Sequence, residues 1–113
     1  DVDGGRLGVV GYSFGTGVIS GGLPMYTDAK AFVLISSPLR YLEHPEIAED
    51  GRPKLYVCGD RDHGIPIDAL KEKVASLGND SRCYVVTGAD HFWAEYESEA
   101  AVHTVRFLND TLT

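Results

Sequence analysis

The pentapeptide Gly11-Tyr12-Ser13-Phe14-Gly15 constrains the fold more than any other part of this 113-residue chain. A short apolar run, 7–11, precedes it, and a segment of small and apolar residues, 14–20, follows it. This order predicts a buried strand, a sharp turn and a helix, with Ser13 at the apex of the turn. Glycines on either side suit such a turn, because we expect a side chain at position 11 or 15 to collide with it.

Four apolar runs rich in β-branched and aromatic residues divide the chain. They are 7–11, 31–36, 54–58 and 82–87. None of them alternates cleanly between polar and apolar residues, which is typical of strands that helices cover on both faces. The repeated order of strand and helix then predicts an α/β fold with three layers and a mainly parallel sheet.

Helical spacing marks two further helices. The first is indicated by an apolar stripe that ends before Gly78, a helix stop: Ile67, Leu70, Val74 and Leu77. The second covers about 94–112, and the stripe that we expect to lie on the sheet consists of Ala101, Val105, Leu108 and Leu112. The segment 37–53, rich in Pro, Glu and His, predicts a loop with at most one helical turn around 46–49.

Composition limits the partners and the location of the protein. A length of 113 residues with 43% hydrophobic content predicts one globular domain, 1–113. The net charge of −7 argues against a nucleic-acid partner, because nonspecific affinity for phosphates comes from clustered Lys and Arg. The chain shows neither a membrane-length apolar stretch nor a secretory signal, so we expect a cytoplasmic protein without a membrane partner.

The sequence lacks the usual signatures of nucleotide and metal binding. Gly15-Thr16-Gly17 has no third glycine at the dinucleotide-binding spacing, and no Gly-Lys-Ser or Gly-Lys-Thr phosphate loop occurs. No group of His, Cys and acidic residues has the spacing of metal ligands. We therefore predict neither a cofactor nor a metal.

A serine hydroxyl is a weak nucleophile at neutral pH, so a reactive Ser13 needs a histidine base and a carboxylate that orients it. The segment after the third run, 59–66, contains Asp60 and Asp62, and the segment after the fourth run, 88–93, contains His91. Both acidic residues are candidates for the carboxylate. Asp90 is not, because a residue next to the histidine cannot normally fold back to its ring, and we expect it to cap the turn.

With these three segments, the chain resembles the C-terminal half of an α/β-hydrolase, and most resembles the small dienelactone-hydrolase-like members. The family patterns Gly-Tyr-Ser-x-Gly, Gly-x-x-Asp-x-x-x-Pro and Gly-x-x-His-Phe are matched at 11–15, 59–66 and 88–92. The resemblance covers nearly the whole chain. It implies a serine hydrolase that cleaves an ester, thioester or related acyl bond of a small-molecule substrate.

The resemblance also implies the roles of single residues. Ser13 attacks, His91 relays the proton and Asp62 holds His91 in the right tautomer, while Asp60 is left to cap its turn. The backbone N–H of Phe14 is implied as one donor of the oxyanion hole. Five residues are candidates for the wall of a substrate pocket: Tyr12, Leu39, Ile65, Phe92 and Trp93.

Relatives of this kind carry several strands before the serine strand and a second oxyanion donor among them. We therefore expect the first strand, 7–11, to present an unpaired edge. Such an edge pairs either with the N-terminal half of a longer protein or with a second copy of the chain. The competing interpretation is a noncatalytic hydrolase-like module that serves as an interaction or structural domain.

Overall fold

The computed structural model describes residues 7–78, 80–93 and 95–112 and contains one sheet of four parallel strands. The strands are β1 (Leu7–Tyr12), β2 (Ala29–Ile35), β3 (Lys54–Gly59) and β4 (Ser81–Val86). They lie side by side in chain order, β1-β2-β3-β4. All three pairs are parallel, so the carboxyl ends of the four strands share one edge of the sheet. The predicted α/β fold with a parallel sheet is confirmed.

Helices cover both faces of this sheet. On one face lie α1 (Phe14–Gly22), α2 (Pro45–Glu49) and α3 (Ile67–Leu77), whose apolar side chains share one core cluster with β2 and β3. On the other face lies α4 (Glu97–Leu112), which forms a second cluster with the opposite sides of the same two strands. The three predicted layers are therefore present. At the end of α3, Gly78 has a φ of 71°, a conformation that favours glycine and stops the helix as predicted.

The central and outer strands differ in their exposure. Most of β2 and all of β3 are buried, as expected for strands covered on both faces. In contrast, the expectation of a buried first strand is wrong for β1, where Val10 and Tyr12 are 48% and 44% exposed. The cause is its position, because within the described residues β1 pairs only with β2 and its other edge is open.

The apolar stripe predicted on the terminal helix is half wrong. The residues of α4 that reach the sheet are Ala100 and Phe107, with Leu108 and Leu112 partly buried beside them. Ala101 and Val105, which we expected on the sheet, are exposed, Val105 by 56%. The helix begins at Glu97 rather than near position 94, a residue outside those that the structure describes.

The segment between β2 and β3 contains more regular structure than the sequence predicts. The expected helical turn is present as α2, and a 3₁₀ helix, Leu39–Glu43, precedes it. Leu42 and Ile47 of this segment are buried in the core. Each provides one apolar anchor under an otherwise polar connection.

At the amino ends of β2 and β3, three charged side chains form a compact network. The Lys54 ammonium donates to Oδ1 of Asp50 at 3.0 Å, and the side chain of Lys54 is only 1% exposed. Arg52 bonds the Asp50 carboxylate and donates to the carbonyl oxygens of Leu23 and Ala29. The network ties the start of β3 to the segment before β2.

No helix within the described ranges is long and apolar enough to cross a membrane.

Candidate active site

The parallel sheet brings Ser13, Asp62 and His91 together at its carboxyl edge. Ser13 follows β1, Asp62 lies in the loop after β3, and His91 lies in the loop between β4 and α4. The Ser13 Oγ and the His91 Nε2 are 2.8 Å apart, and the His91 Nδ1 and the Asp62 Oδ2 are 2.6 Å apart. Both distances are within hydrogen-bond reach, so the three side chains form one continuous chain.

The chemistry of the groups sets the direction of this chain. An ionised carboxylate can only accept, so Nδ1 of His91 donates to Asp62. In the neutral imidazole this leaves Nε2 as an acceptor, and the Ser13 hydroxyl donates to it. The ring is thereby held in the tautomer in which its free lone pair faces the serine.

Ser13 occupies a strained backbone conformation between β1 and α1. Its φ of 52° and ψ of −112° lie in a region that residues other than glycine rarely adopt. Two hydrogen bonds hold it there: the Ser13 N–H donates to the Ile35 carbonyl at 2.8 Å, and the Ser13 carbonyl accepts from the Thr16 N–H at 2.9 Å. The predicted strand, turn and helix are thus present, with the serine at the turn.

The two glycines that flank Ser13 are not equivalent. A Cβ on Gly11 would lie 2.5 Å from the Cδ1 of Ile19 and 3.1 Å from the carbonyl of Gly15, so the predicted collision holds at that position. A Cβ on Gly15 would meet nothing within 4 Å among the described residues, so the steric reason given for that glycine is wrong. The close approach is made by the strand side of the turn.

Phe14 is the first residue of α1, and its ring is 76% exposed. The N–H groups of a first helical turn have no acceptor within the helix. The Phe14 N–H is therefore one of the donors at the positive end of the nine-residue α1, directly after Ser13.

The structure separates the two acidic candidates. Asp62 is 4% exposed and contacts the imidazole, and its second oxygen, Oδ1, accepts from the Gly64 N–H at 3.2 Å. Asp60 is exposed and accepts from the Gly88 N–H at 2.7 Å, so it joins the loop after β3 to the loop after β4. Asp90 accepts from the Phe92 N–H, which confirms the expected turn cap.

The two loops that carry Asp62 and His91 lie in close contact. A Cβ on Gly59 would come within 2.1 Å of the Ala89 carbonyl oxygen, which only a glycine avoids. The same carbonyl accepts from the Arg61 N–H at 2.9 Å. This contact fixes the spacing of the two loops, and therefore the distance between the Asp62 carboxylate and the imidazole.

One hollow includes Asp62 and His91 in its lining, and a second includes Tyr12 and Phe92, the sequence neighbours of Ser13 and His91. The first, of about 460 Å³, is lined by 61–64 and 90–92. The other, of about 440 Å³, is an apolar groove between the end of β1 and α4. Three of the predicted pocket residues line the groove: Tyr12, Phe92 and Trp93.

The two other pocket candidates lie elsewhere. Ile65 is 4% exposed and packs in the core with α3, and Leu39 lines a separate hollow with Glu43 and residues of α3. Proximity in sequence to a site residue, or to a loop near the sheet edge, did not predict where these side chains point.

Sequence reasoning missed two contacts that hold the His91 loop. The Tyr12 hydroxyl donates to the carbonyl oxygen of His91, and the Trp93 indole N–H donates to the Ser36 hydroxyl at 2.9 Å in a buried position. Burial raises the pKa of the Tyr12 phenol, and the negative charges of Asp62 and Asp90 raise it further. No sequence pattern marks either contact, because the partners are more than 50 residues apart.

A search against family models and a search of curated proteins gave no match, whereas solved structures share the fold of this chain. A CIB-like hydrolase from Thermoplasma acidophilum is 27% identical over 94% of this chain, with a TM-score of 0.75. An esterase from Pyrococcus furiosus is 17% identical over 96% of this chain, with a TM-score of 0.73. A Klebsiella pneumoniae protein with a provisional name as a dienelactone hydrolase is 23% identical over 97%, with a TM-score of 0.70.

A parallel α/β sheet with a serine turn after one strand and its histidine and acid after later strands defines a class of protein, the α/β-hydrolases. The chain belongs to this fold family. It spans about half the length of the matched structures, namely 52%, 54% and 52% of the three named above.

Proposed function

We propose that this chain carries the catalytic residues of a serine hydrolase that cleaves an ester, thioester or related acyl bond of a small molecule. The observation that carries the proposal is the continuous chain from the Ser13 Oγ through the His91 ring to the Asp62 carboxylate, with separations of 2.8 and 2.6 Å. Its residue types, order and geometry are those that nucleophilic acyl transfer requires.

In the proposed reaction, the Ser13 oxygen bonds to the acyl carbon while its proton passes to Nε2 of His91. Asp62 stabilises the resulting imidazolium. The negative oxygen of the tetrahedral intermediate accepts from the Phe14 N–H, a donor at the helix end next to the attacking atom. The bond to the leaving group then breaks and the leaving group takes the proton from Nε2. Water repeats the sequence on the acyl-enzyme and releases the acid.

The substrate class is proposed as an uncharged or weakly charged acyl compound. The apolar groove beside Tyr12 and Phe92 is open to such a group, and the net charge of −7 disfavours polyanionic substrates. Cytoplasmic location, the absence of a cofactor, and a substrate that is neither nucleic acid nor membrane remain predictions from the sequence.

The first test uses a fluorophosphonate probe, which forms a covalent bond to an activated serine. We expect labelling of the full 113-residue chain at Ser13 and loss of labelling in Ser13→Ala. Ser76→Ala, which removes an exposed hydroxyl on α3, is the matched control and should label as the parent does. Labelling that persists in Ser13→Ala, or a peptide map that places the probe elsewhere, would contradict the assignment.

One observation favours a second candidate function, an interaction or structural module. The open edge of β1 lies beside the apolar groove, which is lined by the exposed Val10 of β1 and the exposed Val105 of α4. Monomeric proteins rarely expose a strand edge and an apolar helix face side by side. A noncatalytic module would use this surface and leave Ser13 unlabelled, so the probe experiment separates the two functions.

We also propose that, in the working hydrolase, this surface is covered by polypeptide that forms the remainder of an α/β-hydrolase fold. Support comes from the matched structures, which are about twice as long as this chain, and from the edge of β1, which has no strand paired to it within the described residues. The chain alone should self-associate through the surface. The competing occupant of this surface is a second copy of the chain, which would give a dimer of defined size. Sedimentation distinguishes such a dimer from open-ended association of many copies.

The matched variants for this experiment each add one negative charge. Val105→Glu places the charge on the surface, and Ala75→Glu places it on the exposed face of α3. We expect Val105→Glu to shift sedimentation toward the monomer and Ala75→Glu to leave it unchanged. A parent chain that stays monomeric at all concentrations would contradict this use of the surface.

A further inference from the structure

The last residue of β1, Tyr12, contacts the same residue as its neighbour Ser13. The Tyr12 hydroxyl donates to the backbone carbonyl oxygen of His91, whereas the Ser13 Oγ meets the His91 ring. The Tyr12 and His91 rings are tilted by 37°, with centroids 5.8 Å apart. Two consecutive residues, the last of β1 and the one that follows it, therefore hold His91 at two points, its backbone and its Nε2.

The described part of the segment that carries His91, 87–93 with 95 and 96, has little regular structure of its own. The segment runs from the end of β4 at Val86 to the start of α4 at Glu97. Gly88, Trp93 and Glu95 within it all have positive φ angles, of 92°, 60° and 69°. A loop of this kind keeps one conformation only where the surrounding structure enforces it.

A buried contact enforces the position of Trp93. Its side chain is 4% exposed, and its indole N–H donates to the hydroxyl of Ser36 at the end of β2. On the opposite flank, the Gly88 N–H is held by Asp60. The loop is thus fixed on both sides of His91, but at His91 itself the backbone is held by the Tyr12 hydroxyl.

The imidazole must lie within hydrogen-bond reach of Ser13 and Asp62 at the same time. Its side chain is 31% exposed, so packing alone does not confine it. Misplacement of a reacting group by about 1 Å can cost a hundredfold in rate. Any group that fixes the His91 backbone relative to β1 therefore acts on the distance between the Ser13 Oγ and Nε2.

We propose that the Tyr12 hydroxyl is a positioning group for His91, which keeps the Ser13 Oγ and the imidazole in register by tying the His91 backbone to the end of β1, next to the serine. This inference rests on the proposed function, because it assigns Tyr12 a role in the same reaction. Tyr12 does not touch the reacting atoms. Its phenol is a suitable anchor, since a tyrosine hydroxyl, with an ordinary pKa of about 10, is protonated and so a donor at neutral pH.

The test replaces one oxygen atom. Tyr12→Phe keeps the ring, its contact with His91 and the wall of the groove, and removes only the hydroxyl. Tyr84→Phe is the matched control, because it removes a hydroxyl that bonds Glu99 on the surface, away from Ser13. Fluorophosphonate labelling rates of the full chain are measured for the parent and both variants, together with thermal unfolding.

We expect Tyr12→Phe to label about threefold to tenfold more slowly than Tyr84→Phe, as the loss of one neutral hydrogen bond suggests. The two variants should have similar midpoints of thermal unfolding. With an ester substrate, the loss should fall on kcat and leave KM unchanged, since the groove is intact. Equal labelling rates for the two variants would overturn the proposal, and so would a loss that appears only in KM.

A second measurement does not depend on reactivity. With histidine labelled by ¹⁵N, NMR reports how fast the proton on Nδ1 of His91 exchanges with water, and His91→Gln identifies the signal. We expect several-fold faster exchange in Tyr12→Phe than in Tyr84→Phe, because the hydrogen bond to Asp62 opens more often. Unchanged exchange overturns the positioning role. A parent chain that shows protected exchange but no labelling contradicts the proposed function and leaves the positioning of His91 supported.

Discussion

The amino and carboxyl ends of the sheet each hold a carboxylate against a nitrogen group, but they differ in whether the surrounding hydrogen bonds are all used. At the amino ends of the strands, Asp50, Arg52 and Lys54 form an ionic network. At the carboxyl ends, Asp62 and His91 form a comparable pair that continues to Ser13. Each end therefore places a nearly buried carboxylate against a nitrogen group, yet only the carboxyl end continues to a hydroxyl that is partly open to solvent.

The difference lies in what remains unsatisfied. The Lys54 ammonium has three donors, and it uses them on Oδ1 of Asp50, on the Asp50 carbonyl and on the Arg52 carbonyl. At the other end, the Asp62–His91 pair ends on a half-buried hydroxyl, with the imidazole 31% exposed. A closed network supports the fold, whereas an open one can react.

Backbone strain is concentrated at the carboxyl edge but is not confined to it. Ser13, Ser36 and Trp93 have φ angles of 52°, 56° and 60° and lie at that edge or in the His91 loop. In contrast, Asp80, with a φ of 55°, directly precedes β4 at the amino edge. Such conformations cost about 1–3 kcal/mol each and tend to persist where function needs them. The two buried core clusters of the sheet supply the stability that offsets this cost. The Asp50 network lies at the opposite end of the same sheet.

The largest effect is expected from a change that breaks the open network, the chain of Ser13, His91 and Asp62. Asp62→Asn keeps the shape of the side chain but no longer stabilises the imidazolium, so we expect a loss of about four orders of magnitude in catalytic rate with little change in substrate binding. Asp60→Asn is the matched control and should lose far less, because its oxygen accepts from a backbone N–H outside the Ser13–His91–Asp62 chain. Ester turnover of both variants measures the ratio. A larger loss in Asp60→Asn would show that the orienting carboxylate is misassigned.

The next largest effect is expected from a change that breaks the closed network, which consists of Asp50, Arg52 and Lys54. Asp50→Asn leaves the buried Lys54 charge without its carboxylate, and we expect a loss of about 3 kcal/mol in the free energy of unfolding, measured with urea. Glu72→Asn, on the exposed face of α3, is the control and should change stability by less than about 0.5 kcal/mol. Labelling of Ser13 in the folded fraction should be unaffected. Equal stability of the two variants would show that the network contributes nothing to the fold.

The smallest expected effect is a change with pH in the stability that the Asp50 network contributes. Burial alone would raise the pKa of Asp50, but hydrogen bonds from Arg52 and Lys54 outweigh burial and hold the pKa well below its ordinary value. A carboxyl with a lowered folded-state pKa stabilises the protein above its unfolded pKa, near 4, and this contribution is lost as pH falls below it. The difference in unfolding free energy between the parent and Asp50→Asn should therefore shrink from pH 5 to pH 3. A constant difference would show that Asp50 is not held ionised by the network.

The residues of the candidate site could largely be predicted from the sequence. Ser13, Asp62 and His91 each follow a strand, and parallel pairing alone brings the carboxyl ends of those strands to one edge. Gly11 could be predicted as well, because it lies next to a turn that needs close approach. These inferences depend on local order along the chain, which apolar runs and glycines record directly.

The parts that could not be predicted depend on how the elements pack. Ala101 and Val105 share helical periodicity with residues that reach the sheet, but the face that α4 presents was decided by its position beside β2 and β3. Leu39 and Ile65 lie close in sequence to predicted site segments, yet Ile65 packs in the core and Leu39 lines a hollow beside α3. Periodicity shows that a helix has an apolar face, and only its neighbours determine how much of that face is buried.

By itself, then, the sequence determined the order of strands and helices, the serine turn, and the serine, histidine and acidic residues that meet at the carboxyl edge. The tertiary structure decided which carboxylate meets the imidazole, which apolar residues stay exposed, and that Tyr12 and Ser36 hold the His91 loop. The physical reason is range. Propensity, periodicity and turn chemistry act between residues a few positions apart, whereas these contacts join partners separated by 29 to 79 positions, and nothing local records them.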